Sequence, residues 1–236
     1  RKRAESVNPS ATIAPKRIGN SQVAPNAPRL GWAVWLVPAC WSAVAVPAVF
    51  AVERVVRNRR FRFEFRTSGS TAKPKTIVKT FASLAREVAF HRRRLAAAFA
   101  ENPILLATIE PGHMYGTLWR TLLARATGCA EDPAVILEPE ELLAKMRAAE
   151  KVFLVTTPSF LRRFCAYADQ YDVPGNAVEI VTSGALLDAE TSAATKRVFG
   201  RAPLEIFGST ETGGVAWRRQ SDACPDAYDW TVFDPV

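Results

Sequence analysis

The sequence predicts an α/β protein, a mostly parallel sheet with helices on both faces. Three observations predict it. From residue 61 onward, short apolar runs of strand length alternate with longer stretches of helical period. The inner runs, such as Val152 to Thr156 and Val178 to Val181, are predominantly apolar and short, as strands covered on both faces are. Glycines stand where helices should stop, Gly128 and Gly200 among them.

Taken in order, Phe61 to Arg66 alternates aromatic and charged side chains with the period of a half-buried strand, and Thr76 to Thr80 reads as a second β-rich stretch. Phe81 to Ala100 has helical spacing through Leu84, Val88, Leu95 and Phe99. Ile104 to Ile109 reads as a strand, followed by a helix from about Tyr115 to Gly128. Ala134 to Leu137 is expected as a strand. Pro139 to Glu150 is expected as a helix, with acids early and Lys145, Arg147 and Lys151 late, as the helix dipole favours. After the strand Val152 to Thr156, Thr157-Pro158 offers a hydroxyl cap and a first-turn proline. Val178 to Val181 is a strand, Asp188 to Phe199 a helix ended by Gly200, and Leu204 to Phe207 a further strand. In open α/β sheets ligands sit beyond the carboxyl ends of the strands. Thr67, Gly184 and Glu211 all follow predicted strands closely.

The stretch Thr67-Ser68-Gly69-Ser70-Thr71-Ala72-Lys73-Pro74-Lys75 is the most informative in the chain. Small hydroxyl residues and a glycine between two strands can turn several N–H groups and four hydroxyls toward one point, with Lys75 at the rim. Such a concavity suits a polyphosphate. The same residue types also make ordinary polar turns. Pro74 before Lys75 rules out a Walker-type loop. A second segment, Phe207-Gly208-Ser209-Thr210-Glu211-Thr212-Gly213-Gly214, follows another apolar run and combines an aromatic ring, a hydroxyl and a carboxylate in a glycine-rich setting. A ring can stack on adenine, a threonine can bond a phosphate, and a carboxylate can hold Mg²⁺ between phosphates.

The first of these segments resembles the signature loop of the adenylate-forming (AMP-binding) superfamily, which includes acyl-CoA synthetases, aryl-CoA ligases, luciferases and peptide-synthetase adenylation domains. Ala72 and Thr76 stand where that signature has glycine. The second resembles the superfamily's Tyr-Gly-x-Thr-Glu motif, with Phe207 in place of tyrosine. Between them, Pro111 to Gly116 resembles a proline–histidine–glycine segment whose histidine lines the carboxylate site. Ser183-Gly184-Ala185-Leu186 resembles the turn that packs on adenine, with Ser183 replacing its first glycine. Ile77 to Thr80 and Val215 to Gln220 further resemble bacterial acyl-CoA or acyl-carrier synthetases.

The resemblance covers Phe61 to Gln220 and implies the fold of part of these enzymes' large N-terminal domain. It also implies their reaction: a fatty or aryl acid is activated with ATP as an acyl-adenylate, then passed to a thiol of CoA or of a phosphopantetheine carrier protein. In that scheme Thr67, Ser68, Gly69, Ser70, Thr71 and Lys75 hold the β- and γ-phosphates, Thr210 meets the α-phosphate, and Glu211 binds Mg²⁺. Phe207, Gly208, Ser209, Gly184 and Ala185 frame the nucleotide. His113, Tyr115 and Gly116 border the acid, with apolar side chains such as Phe160 and Leu161 lining its pocket. Family members continue with a ribose-binding aspartate, a hinge and a lid domain bearing a lysine. Asp222, Asp226, Asp229 and Asp234 lack that aspartate's Thr-Gly setting and the chain ends at Val236. The expectation is therefore a ligase incomplete as it stands, or alternatively a non-catalytic nucleotide-binding module.

Composition sets the remaining bounds. With 236 residues and 48% apolar content, the chain can bury a sizeable core. The net charge of +8 divides into about +15 over residues 1–94 and about −7 over the rest. No recognition-helix, zinc-finger or aromatic-basic pattern accompanies the basic half, so nucleic acid is not the expected partner. Cys40, Cys129, Cys165 and Cys224 are scattered singly, which fits a reducing, cytoplasmic setting. With only His91 and His113 present, a multi-histidine metal centre is excluded. Residues 1–28 read as a disordered or extended basic leader, 29–60 as an apolar segment and 61–236 as the nucleotide-binding domain. Within the apolar segment, Leu30 to Val52 carries no charge and is long enough for a membrane span, though Pro38 and Pro47 argue for buried strands or a packed helix.

Overall fold

In a computed structural model of the chain, residues 62–67, 75–168, 170–220 and 230–233 are described. The leader, the apolar segment and loop residues Ser68, Gly69, Ser70 and Thr71 lie outside these ranges, as do Cys40 and Cys224.

Seven strands form one sheet in the order β4-β3-β5-β6-β7-β8-β9. They are β3 (Ile104–Ala107), β4 (Ala130–Glu131), β5 (Val152–Thr156), β6 (Ala177–Thr182), β7 (Leu204–Ser209), β8 (Gly213–Arg218) and β9 (Thr231–Val232). From β4 to β7 all pairings are parallel; β8 and β9 join antiparallel. α1 (Phe81–Arg94) and α2 (Ala96–Ala100) lead into β3, and four helices cross between the parallel strands: α3 (a first turn Met114–Gly116, a π-helical middle Thr117–Leu123 and an end Ala124–Thr127), α4 (Pro139–Ala148), α5 (Pro158–Ala168) and α6 (Ala189–Phe199). Gly128 and Gly200 end α3 and α6 in left-handed geometry, each at φ 72°.

The sequence builds this sheet through period-two alternation of facing inside buried, mainly apolar strands. Phe153 and Val155 of β5 pack on one face with Leu84 and Val88 of α1 and Leu118, Trp119 and Leu123 of α3. Val152 and Leu154 point the other way, onto Leu142 and Met146 of α4, Phe160, Leu161 and Phe164 of α5 and Phe199 of α6. Each such side chain stabilises the fold by about 1.5–3 kcal/mol through removal from water. Among the described residues no helix is long and apolar enough to cross a membrane.

Four features depart from the sequence reading. The first two strands, β1 (Arg62–Thr67) and β2 (Lys75–Thr80), do not enter the main sheet. They pair with each other as an antiparallel ribbon, Thr67 opposite Lys75. Ala134 to Leu137 is not a strand; the edge strand is Ala130–Glu131. The reason is Arg120, whose guanidinium takes the carbonyls of Asp132, Pro133 and Ala134 at 3.1–3.4 Å, while Ile136 remains buried through one bond to the Ala107 carbonyl (2.9 Å). The predicted 81–100 helix is interrupted at Leu95, which separates α1 from α2. Finally, β8 continues the sheet at Gly213–Arg218, for which the sequence reading named no strand.

Candidate active site

At the carboxyl edge of the sheet, the ends of β3, β5 and β6 are tied together by hydroxyls. Thr108 and Thr156 lie 2.9 Å apart through Oγ1. The Tyr115 hydroxyl sits between the carbonyls of Thr156 (3.2 Å) and Val181 (3.1 Å) and donates its one proton across that pair. Burial raises this phenol well above its usual pKa, so it stays a donor. Gly116 allows α3 to begin this close to the β3 loop: a Cβ there would fall 1.9 Å from the Glu110 carbonyl oxygen. His113 stands just before α3 with an exposed side chain that takes no part in capping it.

Beyond β6 the chain turns through Gly184 at φ +91°, leaving Gly184, Ala185 and Leu186 exposed. Ser183 anchors this turn to the neighbouring strand, its Oγ donating to the Ile206 carbonyl at 2.8 Å. The Leu187 N–H reaches the buried Glu205 carboxylate (3.0 Å), which also receives the Arg218 guanidinium at 2.6 Å. Both partners of that ion pair are about 5% exposed. Asp188 then caps α6, accepting the Thr191 N–H at 2.7 Å and pairing with Arg162 at 2.5 Å. Partial burial opposes its ionisation, but these donors outweigh it and hold the carboxyl down at about 2.

The turn between β7 and β8 is pre-set by two side chains. Ser209 N–H donates to Thr212 Oγ1 (3.0 Å), and Thr212 N–H returns a bond to Ser209 Oγ (3.2 Å). Glu211 at its tip is exposed, and Thr210 beside it is half-buried. The Glu211 carboxyl is held below the ordinary range, first by its own backbone N–H, then by the Ser209 hydroxyl and by the charges of Lys75 and Lys79. Lys79 also donates from Nζ to the Glu211 carbonyl. At the connected end of the β1–β2 ribbon Thr67 Oγ1 donates to the Lys75 carbonyl at 3.4 Å, and the Lys75 charge there acts on the Glu211 carboxyl. Phe207 is 58% exposed, its ring 5.5 Å from that of Trp230 and tilted by 53°.

The fold thus brings Lys75 and Glu211 together and ties the Gly184–Ala185 turn to β7 and Tyr115 to the end of β6. Phe160 and Leu161 are not pocket walls. Leu161 is fully buried and Phe160 nearly so, both in the core beneath α5, because the amphipathic period of that helix turns them to the sheet. Two residues beside the glutamate turn were missed. Lys79 had a legible signal, since Lys75, Ile77 and Lys79 share one face of β2 by strand period. Glu87 had none; its carboxylate crosses from α1 to accept the Gly214 N–H at 2.9 Å.

The donor set suits a triphosphate carrying a divalent cation: one ionised carboxylate, two lysines and adjacent hydroxyls. Among the described residues no three His, Cys, Asp or Glu side chains converge, so a cation beside Glu211 would draw most of its ligands from phosphate oxygens and water.

The sequence profile of the family described as AMP-binding enzyme matches residues 65–234. The chain belongs to that family. A 4-coumarate–CoA ligase of Cereibacter sphaeroides is 34% identical over 161 residues, 68% of this chain and 38% of the relative. A second 4-coumarate–CoA ligase, from Rhodobacter capsulatus, is 28% identical over 71% of this chain and 42% of its own length. This AMP-binding chain thus spans about two fifths of the curated relatives it matches. Among solved structures, ATP-bound MatB from Rhodopseudomonas palustris superposes with a TM-score of 0.57 at 20% identity, over 73% of this chain and 32% of that one. O-succinylbenzoate coenzyme A synthetase (MenE) from Bacillus subtilis, in complex with AMP, gives 0.57 at 17% identity over 66% and 31%. At these identities the likeness is one of fold, and the fold is that of adenylate-forming enzymes.

Proposed function

We propose that the chain forms the nucleotide-gripping part of an acid–thiol ligase that joins a carboxylic acid to ATP as an acyl-adenylate and then to a thiol. The observation that carries this reading is the adjacency of Lys75 and Lys79 to the ionised Glu211, two separated motifs meeting beyond a parallel sheet.

In the first step a carboxylate oxygen attacks the α-phosphorus, and the bond to the bridging oxygen breaks to release pyrophosphate. In the second, the thiol sulfur, as thiolate, attacks the acyl carbon and AMP departs. Both need alignment of anions more than covalent help. Thr67 and Lys75, with loop residues Ser68, Gly69, Ser70 and Thr71, hold the β- and γ-phosphates. Thr210 donates to the α-phosphate, and Phe207 offers its exposed ring to adenine opposite the backbone of Gly184 and Ala185, with Gly208 and Ser209 framing the base. His113 borders the acid beside Gly116, while Tyr115 shapes the same wall by pinning the ends of β5 and β6. Glu211 is the residue that would hold Mg²⁺, which when bound offsets charge on the phosphates. The acyl acceptor is CoA or a phosphopantetheine carrier. The naming of the two bacterial relatives for 4-coumarate makes aryl acids the first substrates to try.

The test is carboxylate-dependent exchange of labelled pyrophosphate into ATP, across aromatic and fatty acids beginning with 4-coumarate. Exchange with at least one acid, lost in Glu211→Gln, is the expected result. ATP binding without exchange for any acid would instead indicate a nucleotide-binding module. Undiminished exchange in Glu211→Gln would remove that residue from the metal site.

A further inference from the structure

Glu87 belongs to none of the motifs, yet its geometry is that of a built contact. It lies on α1, whose neighbouring inward positions Leu84, Val88 and His91 are buried. Its side chain is only 14% exposed, and a carboxylate so enclosed is costly unless it is bonded. The bond it has is to the Gly214 N–H, at 2.9 Å. His91 Nε2, 3.8 Å away, lies outside hydrogen-bond range and has no hydrogen-bond partner among the described residues. The two glycines are the room for this carboxylate. A Cβ on Gly213 would come 2.7 Å from Glu87 Oε2, and one on Gly214 would meet the Phe233 ring at 2.3 Å and Glu87 Oε1 at 2.7 Å. The β7–β8 ladder shifts register here, between Phe207–Ala216 and Gly208–Gly214. Such a bulge disrupts regular pairing locally, and Glu87 receives the Gly214 N–H at that point.

A second tether holds the other side of the same turn, the contact from Lys79 to the Glu211 carbonyl. Lys79 lies next to the last residue of β2 and Glu87 on the helix that follows directly, so both tethers come from one continuous β2–α1 segment. They meet the turn at Glu211 itself and at Gly214.

We propose that Glu87 is a positioning residue: by accepting the Gly214 N–H it fixes the β7–β8 hairpin against the β2–α1 segment and so sets Glu211 at the distance from Lys75 at which both can engage one metal-bearing triphosphate. This rests on the reading of Glu211 as the Mg²⁺ residue. The hydrogen bond needs an acceptor oxygen, not a charge, so a glutamine at this position keeps it and an alanine removes it.

The experiment uses the 236-residue chain and its Glu87→Ala, Glu87→Gln and Glu211→Gln variants, with ATP as ligand and Mg²⁺ titrated. In Glu87→Ala the Mg²⁺ midpoint for ATP binding rises by about tenfold, the scale of one lost hydrogen bond to a charged acceptor. ATP binding without metal is unchanged, and amide exchange accelerates at residues 212–214. Glu87→Gln stays within about twofold of the unaltered chain on the same scale. A wild-type midpoint in Glu87→Ala, with metal dependence lost in Glu211→Gln, overturns the positioning role. A Glu87→Gln variant as impaired as Glu87→Ala overturns the acceptor mechanism. If Glu211→Gln itself keeps full metal dependence, the metal reading fails, and amide exchange alone decides whether the tether exists. Should the alanine variant not fold, the unaltered chain still decides: a Gly214 amide exchanging as fast as an open turn overturns the tether.

Discussion

Every residue of β5 and β6 is buried, whereas in β1 and β2 only Phe65 is, and the last three residues of β7 are all exposed. The parallel centre and the antiparallel ribbons therefore carry different burdens. The centre is held by apolar area on both faces, and its few polar side chains join strands to each other, as Thr108 does to Thr156. The ribbons hold the charged and hydroxyl groups of the candidate site and are kept in place by single polar contacts from neighbouring segments: Lys79 to the Glu211 carbonyl, Glu87 to Gly214, Ser183 to Ile206. Functional groups gain precision when a rigid scaffold positions exposed segments, and here the scaffold is the buried sheet.

Breaking the centre should cost far more stability than stripping the ribbons. Phe153→Ala, at a fully buried position between α2, α3 and the sheet, is expected to destabilise by about 3–5 kcal/mol, read by urea unfolding. Glu205→Ala is also expected to destabilise, by about 3 kcal/mol, since it removes the carboxylate to which the buried Arg218 guanidinium and the Leu187 N–H both donate. Replacing both ends of that pair with apolar residues should recover much of the loss.

Asp188→Ala probes the boundary between the two regions. Loss of the α6 cap should cost about 1 kcal/mol at neutral pH. Because the folded carboxyl sits near 2, below its ordinary 3.8, its stabilisation is complete above about pH 4 and disappears as pH falls toward 2. Melting curves of the two proteins should converge over that window; a constant offset from pH 7 to 2 would show that the carboxylate is not what stabilises. At the small end, Glu211→Gln and Lys79→Ala should shift stability by less than about 0.5 kcal/mol while abolishing or weakening metal-dependent nucleotide binding. A large loss of stability in either would merge the two regions and undo the comparison.

Much of the centre was legible because its signals are local. The apolar runs of β5 and β6, the Thr157 cap with Pro158, the Asp188 cap and the stops at Gly128 and Gly200 each depend on a few adjacent residues. The misread stretch Ala134 to Leu137 failed for the opposite reason. Ile136 does enter the core while Leu137 is exposed, and a guanidinium from α3, more than ten residues earlier, claims the carbonyls of Asp132, Pro133 and Ala134, where a strand would begin. At the site, the motif residues Lys75, Thr210 and Glu211 were read from their order, and Lys79 was readable from strand period. Glu87 was not, because its partner lies 127 residues away.

Taken by itself, the chain of residues determined the alternation of strands and helices, the family, and which loops carry the hydroxyls, lysine and glutamate, since periodicity, capping and motif order are properties of neighbours along the backbone. Only the tertiary structure decided that β1 and β2 form a ribbon apart from the main sheet, that Phe160 and Leu161 are core, and that a helix carboxylate fits the space left by Gly213 and Gly214. Those outcomes depend on which distant polar group reaches a given N–H or carbonyl first, and on where side chains have room, which spacing along a sequence does not encode.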